Sequence, residues 1–317
     1  MTSPWRVVRA AIAIGLTAIV LWQADLGAVV HAARGTRPWP LAAAVGLVII
    51  DRTLMGWRWI ALLGALDATR RPPLGAALRV FFVSTFLGTF LPASVGGDAV
   101  RAVATTRLGV PAADAAASVI LDRLLGVVGI VVLAAVGLGL ARGLTTHRGI
   151  VAALAFTTAV SAAGAALIFS DRAAAAARFF ASRVPGERIR HFLAASIGAI
   201  QLHRDHRARL AAVLAVSVAV QVLRVLEAWT LGLALGIPAG LTSYLAFVPL
   251  ILLVMLLPIT INGIGTSQAA FVWLFGTAGI EAAPAFALSV LFLALGVIGN
   301  LPGALLYGMG SQGLKNP

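Results

Sequence analysis

The 317 residues are 60% hydrophobic and only 11% charged, with a mean hydropathy of +0.99. Soluble domains carry about 25% charge, so this composition excludes a chain covered by water-facing surface and points to an integral membrane protein. The formal net charge is +13, but the arginines sit mostly in short connections between apolar runs, where topology and anionic headgroups call for them; no basic-aromatic tract of nucleic-acid type is present.

Cysteine is absent, which excludes disulfides, thiolate metal sites and cysteine nucleophiles. Most apolar runs reach the ~17–25 residues of a spanning helix, and none shows the short alternation of a porin-type barrel. The first run, Val7 to Trp22, follows Arg6 and Arg9 like a signal sequence. Another long apolar segment comes straight after it, so it is read as a retained first span. Pro38-Trp39-Pro40 introduces the next run, Trp39 to Leu66, which carries Asp51, Arg52 and Arg58 inside it. Two readings stand for these charges: the arginines snorkel while Asp51 pairs with Arg52, or they form a polar lining shared with Asp98.

After a loop at Asp67 to Pro73, the run Leu74 to Leu91 enters the membrane, and Pro92 with Gly96 and Gly97 breaks it early. Asp98 to Gly109 is too polar for an ordinary span. A re-entrant hairpin over 74–109 explains both facts, with a half-helix carrying Arg101 and Arg107 on the return. Gly96 and Gly97 supply permissive backbone near a helix start, a natural place for an anion; Asp98 can alternatively cap that half-helix. Unsatisfied polar groups in hydrocarbon cost several kcal/mol each, so charges here need a reason. This makes the stretch from Arg79 to Gly126 the expected working centre.

Asp114 to Leu140 is a span with Asp122 and Arg123 near its start, and Ile150 to Phe169 is another. The segment 171–209 is hydrophilic and arginine-rich, the strongest cytoplasmic marker in the chain. Within it, Arg178-Phe179-Phe180 and Ile189 to Leu202 look like helix lying on the interface, and the segment is too short for a catalytic domain. Leu210 to Leu235 is a span bearing Arg224 and Glu227, three apart on one face and read as a pair. Tyr244 to Ile261 is the next apolar run, Ala269 to Phe275 continues it, and Ala285 to Leu306 is the final span.

Pro92 precedes Gly97 by five positions, and Pro258 precedes Gly263 by five. Each motif closes an apolar run. With 171–209 in the cytoplasm, a hairpin at 74–109 puts every early basic stretch on the cytoplasmic side, whereas a full crossing would put Arg70, Arg71 and the N-terminal arginines outside. A second hairpin at 244–280 would then enter from the opposite face, as inverted repeats do; two full spans there would preserve the same end orientation. The expected fold class is therefore all-α: a polytopic membrane helical bundle with two re-entrant helix hairpins in an inverted repeat. One membrane domain covers 1–317, with halves at 1–170 and 210–317, and both termini are cytoplasmic.

The motifs PASVGGDAVR at 92–101, GVP at 109–111, SVILDRLLG at 118–126 and PITINGIGTSQ at 258–268 resemble the membrane domain of the lysylphosphatidylglycerol synthase family, also called the flippase-like domain. The resemblance spans most of the chain. It implies a lipid translocator; in two-domain members a separate soluble domain transfers lysine from charged tRNA to phosphatidylglycerol. Here the chain runs eleven residues past Leu306, which leaves no room for that transferase. The family's second motif usually carries a glutamate where Gln268 stands, which removes the negative charge a cationic headgroup would need.

These residues lead to a flippase-like transporter of the cytoplasmic membrane, not an enzyme, whose ligand is an anionic phospholipid or lipid-linked phosphate. Arg101, with Arg52 or Arg123, would hold the phosphate, since the planar guanidinium fork gives paired charge-assisted hydrogen bonds. Asp98 would orient Arg101 or compete for it. Asp122, Asn262, Gly263, Gly265, Ser267 and Gln268 complete the candidate substrate-binding set. No Walker motif is present, so a gradient or equilibration replaces ATP hydrolysis, and neither cofactor nor metal is expected. Two alternatives remain at this stage. An intramembrane enzyme on lipid-linked phosphate would need Asp51, Asp98 and Asp122 around one pocket, and a non-transporting lipid-binding scaffold would need none of this chemistry.

Overall fold

The computed structural model describes residues 36–65, 71–91, 95–140, 148–256 and 265–309. The first span expected at 7–22, the turn at 92–94, Asn262, Gly263 and the tail after Met309 lie outside these. The described chain is all-helical, with eleven α-helices and no strand among those residues. In chain order they are α1 Pro38–Leu63, α2 Leu74–Gly88, α3 Val95–Thr106, α4 Ala112–Leu140, α5 Arg148–Phe169 and α6 Asp171–Ala181. Then come α7 Glu187–Leu202, α8 Arg207–Ala234, α9 Leu241–Leu256, α10 Thr266–Gly276 and α11 Ala282–Gly308.

Four helices, α1, α4, α8 and α11, are long and apolar enough to cross a membrane. The span expected at Ile150 to Phe169 joins them only when taken with α6, from which it is bent by 100°. α1 opens on Pro38 in its first turn, where a missing N–H costs nothing. Gly109, at a φ of 87°, turns the chain from α3 towards α4.

α1 and α8 form the central pair. Arg58 meets Ser217, Asp51 meets Arg224, and the Arg37 N–H donates to the Ala234 carbonyl, so the two helices run antiparallel. Around them the packing falls into matching halves. α2 packs on α11 as α9 packs on α4; α1 touches α11 as α8 touches α4; α2, α3 and α4 pack in succession as α9, α10 and α11 do. Exchanging α1–α4 for α8–α11 maps each of these partners onto another. The two outer crossings share a device. A Cβ on Gly137 of α4 would run into the Leu245 carbonyl of α9, and a Cβ on Gly303 of α11 into the Phe82 carbonyl of α2. Arg79 also donates to the Leu306 carbonyl (2.9 Å) and Asn300 to Thr89 (2.9 Å), tying α2 to α11.

The connector is helical where an interfacial helix was expected. α6 exposes Phe179 and Phe180, and α7 packs on α4. His203 locks the connector to the bundle: Nδ1 lies 3.0 Å from the Ala199 carbonyl and Nε2 3.3 Å from the Leu62 carbonyl at the end of α1. Burial outweighs these contacts and holds the imidazole below its ordinary 6.5. The unfolded chain therefore binds the extra proton first, and stability falls as pH drops through 6.5 towards the folded value. We expect the melting temperature of the wild type to decline over that window and the decline to be smaller in His203→Gln. Identical pH profiles for the two proteins would contradict this.

Candidate functional site

α3 is built inside out. Its buried stripe is Gly97, Asp98, Arg101 and Thr105, while Val103 is 55% exposed. A charged stripe facing inward is tolerable only against charged partners, and α1 and α4 supply them. Arg101 donates from Nη1 to Asp122 Oδ2 (3.2 Å) and from Nε to Ser84 Oγ on α2 (3.3 Å). Its guanidinium also lies over the rings of Phe81 and Trp59, 4.8 and 5.4 Å from their centroids, a cation–π arrangement. Arg58 takes the other oxygen of the same carboxylate, Nε to Asp122 Oδ1 at 2.6 Å, and reaches Ser217 Oγ at 3.3 Å. Asp98 accepts from Arg123 Nε. Three arginines thus meet two aspartates, a net of +1 in ionised form.

The pairing is crossed between helices. Asp98 does not pair with Arg101, nor Asp122 with Arg123, as their closeness in sequence suggested. Neighbouring residues on a helix do not face each other, so Asp122 turns inward to Arg58 and Arg101 while Arg123 turns to Asp98 at the rim. Arg58 does not snorkel: it is 4% exposed. Nor does Asp98 cap α3, since it is the fourth residue of that helix. Gly97 is occupied by packing, because a Cβ there would come 2.9 Å from Gly88 Cα and from the Ser84 carbonyl of α2. Gly96 faces Leu91. Of the whole cluster Arg123 is the most open, with its side chain 41% exposed.

A second cluster lies deeper along the α1–α8 seam. Asp51 accepts from Arg52 Nη1 at 3.1 Å, and Arg224 Nε stands 3.4 Å from its other oxygen. Met55 Sδ sits against both guanidinia, 3.3 Å from Arg52 and 3.2 Å from Arg224, and Arg52 Nη2 reaches the Gly296 carbonyl of α11 (3.4 Å). The expected Arg224–Glu227 pair is not formed, because Arg224 turns to Asp51. Glu227 is buried beside it with Oε1 lacking a hydrogen-bond partner. Both readings of Asp51 hold in part: it pairs with Arg52, and it also lines a polar seam that continues one face of α1 to Arg58 and Asp122.

Gly265, Ser267 and Gln268 open α10, which packs on α9 and α11. Gly265 has a φ of 87°, and its N–H donates to the Gln268 side chain, while Ser267 is buried. Gln268 therefore closes the helix start, a task that needs an acceptor oxygen and no charge. Sequence reasoning missed the deeper seam, although its signal was available. Ser217, Gln221, Arg224 and Glu227 recur every three or four residues on α8, and Asp51, Met55 and Arg58 do so on α1.

Asp51, Asp98 and Asp122 do not converge on one pocket; each is engaged by arginine, and among the described residues no three His, Asp or Glu side chains could hold a metal ion. No curated protein and no solved structure matches the chain. A family match, however, runs over residues 6–303 and takes in both arginine clusters and both short-helix pairs. With described residues that are all-helical and include four helices of membrane length, the protein belongs to the Lysylphosphatidylglycerol synthase TM region family.

Proposed function

We propose that the protein moves a phospholipid or lipid-linked phosphate headgroup across the cytoplasmic membrane. The observation that carries this reading is the crossed cluster of Arg58, Arg101 and Arg123 with Asp98 and Asp122, whose buried Arg58–Asp122–Arg101 triad carries a net +1 while Arg123 pairs with Asp98 at the rim. A phosphate monoanion balances that charge, and its oxygens suit the guanidinium fork. Arg123, the open member, meets the headgroup first, and Asp98 competes for it. Arg101 and then Arg52 receive the phosphate along the α1–α8 seam.

The short helices support re-entrant pairs. α2 and α3 have 15 and 12 residues, about 22 and 18 Å, and α9 and α10 have 16 and 11, about 24 and 16 Å, against a hydrocarbon core of ~30 Å. The interchangeable packing of α1–α4 and α8–α11 supports an inverted repeat whose two hairpins gate a shared site. The basic connector and both chain ends are then cytoplasmic by the positive-inside rule. The engagement of Asp51, Asp98 and Asp122 by arginine favours transport over an intramembrane enzyme built on those three carboxylates.

Translocation of headgroup-labelled anionic, cationic, zwitterionic and isoprenoid-phosphate lipids in proteoliposomes tests this reading. We expect anionic lipid to move, and Arg101→Gln to slow it about 10- to 100-fold, the worth of one charge-assisted hydrogen bond. Asp98→Asn should shift initial binding without unfolding the protein, because Arg123 remains solvent-accessible. Failure of folded wild type to move any of these lipids, with proton or sodium gradients imposed, would sink the proposal.

A further inference from the structure

Glu227 has no place in the reading above, yet its burial demands a reason. The carboxyl lies on α8 beside Asp51, Arg52 and Arg224, and those three are the charges that act on it. Glu227 lies about 10 Å in from the C-terminal end of α8 and is only 4% exposed. Asp51 already holds both arginines, at 3.1 and 3.4 Å. Among the described residues no arginine nitrogen forms an ion pair with Glu227, and its Oε1 has no hydrogen-bond partner. Two further atoms of the cluster are also buried and unpartnered by hydrogen bonds, Arg52 Nε and Asp51 Oδ1.

Charge balance shows what is missing. Asp51, Arg52 and Arg224 sum to +1. An ionised Glu227 brings the total to zero but leaves a carboxylate oxygen without a donor in a buried site. A protonated Glu227 removes that charge and leaves +1 uncompensated. Each state is incomplete by itself, and a bound monoanion completes the second. α11 closes one side of Arg52, where a Cβ on Gly299 would come 3.0 Å from Nε and the Gly296 carbonyl accepts from Nη2. An anion would approach from the open side, since the side chains of Arg52 and Arg224 are 14% and 20% exposed against 1% for Asp51.

The other helices packed on α8 bring no competing charge. On α4, Asp122 and Arg123 are engaged by Arg58, Arg101 and Asp98, and Asp114 lies in its first turn. α9 brings Tyr244, which packs beside Gly232, and α11 brings no charged residue, only Tyr307 in its last turn.

We infer that Glu227 is a proton-binding site coupled to phosphate occupancy of Arg52 and Arg224, ionised when they are empty and protonated when a phosphodiester lies against them. The proton comes from solvent, adds to the carboxylate, and no other bond changes. Each headgroup is then carried with one proton, electrically neutral, and a pH gradient drives the movement. This rests on the transport reading and supplies its energy source.

Calorimetric titration of the full chain in zwitterionic nanodiscs tests it, with dihexanoyl phosphatidylglycerol and, separately, inorganic phosphate as probes. Each is run in two buffers of different ionisation enthalpy. We expect wild type to take up about one proton per bound phosphatidylglycerol, and its affinity to fall up to ~tenfold per pH unit once Glu227 must be protonated on binding. Glu227→Gln, which mimics the protonated acid, should bind without proton uptake and without that pH dependence. The wild-type buffer pair is informative even if the variant does not fold. Phosphatidylglycerol binding with no proton uptake by wild type, or uptake retained in Glu227→Gln, overturns the inference and leaves the transport reading standing. If wild type binds neither probe, the inference falls, and the translocation assay alone decides the transport reading. Uptake with inorganic phosphate as well as lipid supports a site that recognises the phosphate alone, and uptake with lipid only supports one that reads the whole headgroup.

Discussion

Asp122→Asn is expected to lower the stability of the folded protein by about 3–5 kcal/mol, the largest loss from any single charge removal. Its two oxygens answer Arg58 and Arg101 separately, and the side chains of all three are at most 6% exposed. Removing the carboxylate leaves two buried guanidinia without a counter-charge, whereas removing either arginine leaves Asp122 with the other. Arg101→Met should therefore be milder than Asp122→Asn, and the double variant should lose less than the two effects added. Thermal unfolding in detergent, read alongside yield in the membrane, checks this. Equal melting temperatures for wild type and Asp122→Asn would mean that the arginines find water, and that the cluster is not the closed unit described above.

The second large effect is steric. Gly137→Val and Gly303→Val should each cost ~3 kcal/mol, the upper range for overpacking, because the obstructing atoms include backbone carbonyls of Leu245 and Phe82 that no rotamer change can move. Both crossings join one half of the bundle to the other, so the two variants should fail in similar ways. Gly139→Val serves as the control, since nothing lies within 4 Å of the added Cβ. A harmless Gly303→Val would overturn the close approach of α2 to α11; a harmful Gly139→Val would show that the measurement reports helix propensity and not packing.

Much of this architecture was legible in composition and hydropathy. The apolar runs located the long helices, because spanning length in hydrocarbon is a constraint each segment meets alone. The break after Leu91 and the polar stretch from Asp98 showed that α2 and α3 would be short. The wiring of the charges was not legible. Asp98 and Arg101 are near neighbours in sequence, but their partners come from α4, and which helix lies opposite is decided by packing across the bundle. Arg58 is the clearest case. Within its own run it looks like an interfacial arginine beside tryptophans, and only the approach of α4 shows it to be the nearest partner of Asp122. The glycines misled in the same way: Gly97 reads as permissive backbone for a ligand, yet it lets α3 lie against Gly88.

The antiparallel pairing of α1 with α8 has a consequence in time. Asp51 and Arg224 are separated by 224 − 51 = 173 residues, so α1 leaves the ribosome long before its partner exists. At synthesis rates of about 5–20 residues per second that gap is roughly 10–35 s. Over that interval Asp51 has only Arg52, its neighbour on α1, and Arg58 gains Asp122 once α4 is made, but Arg224 is still missing. The seam at the heart of the bundle thus closes only when the second half of the chain arrives, and a chain truncated before α8 leaves Asp51 without Arg224 and Arg58 without Ser217.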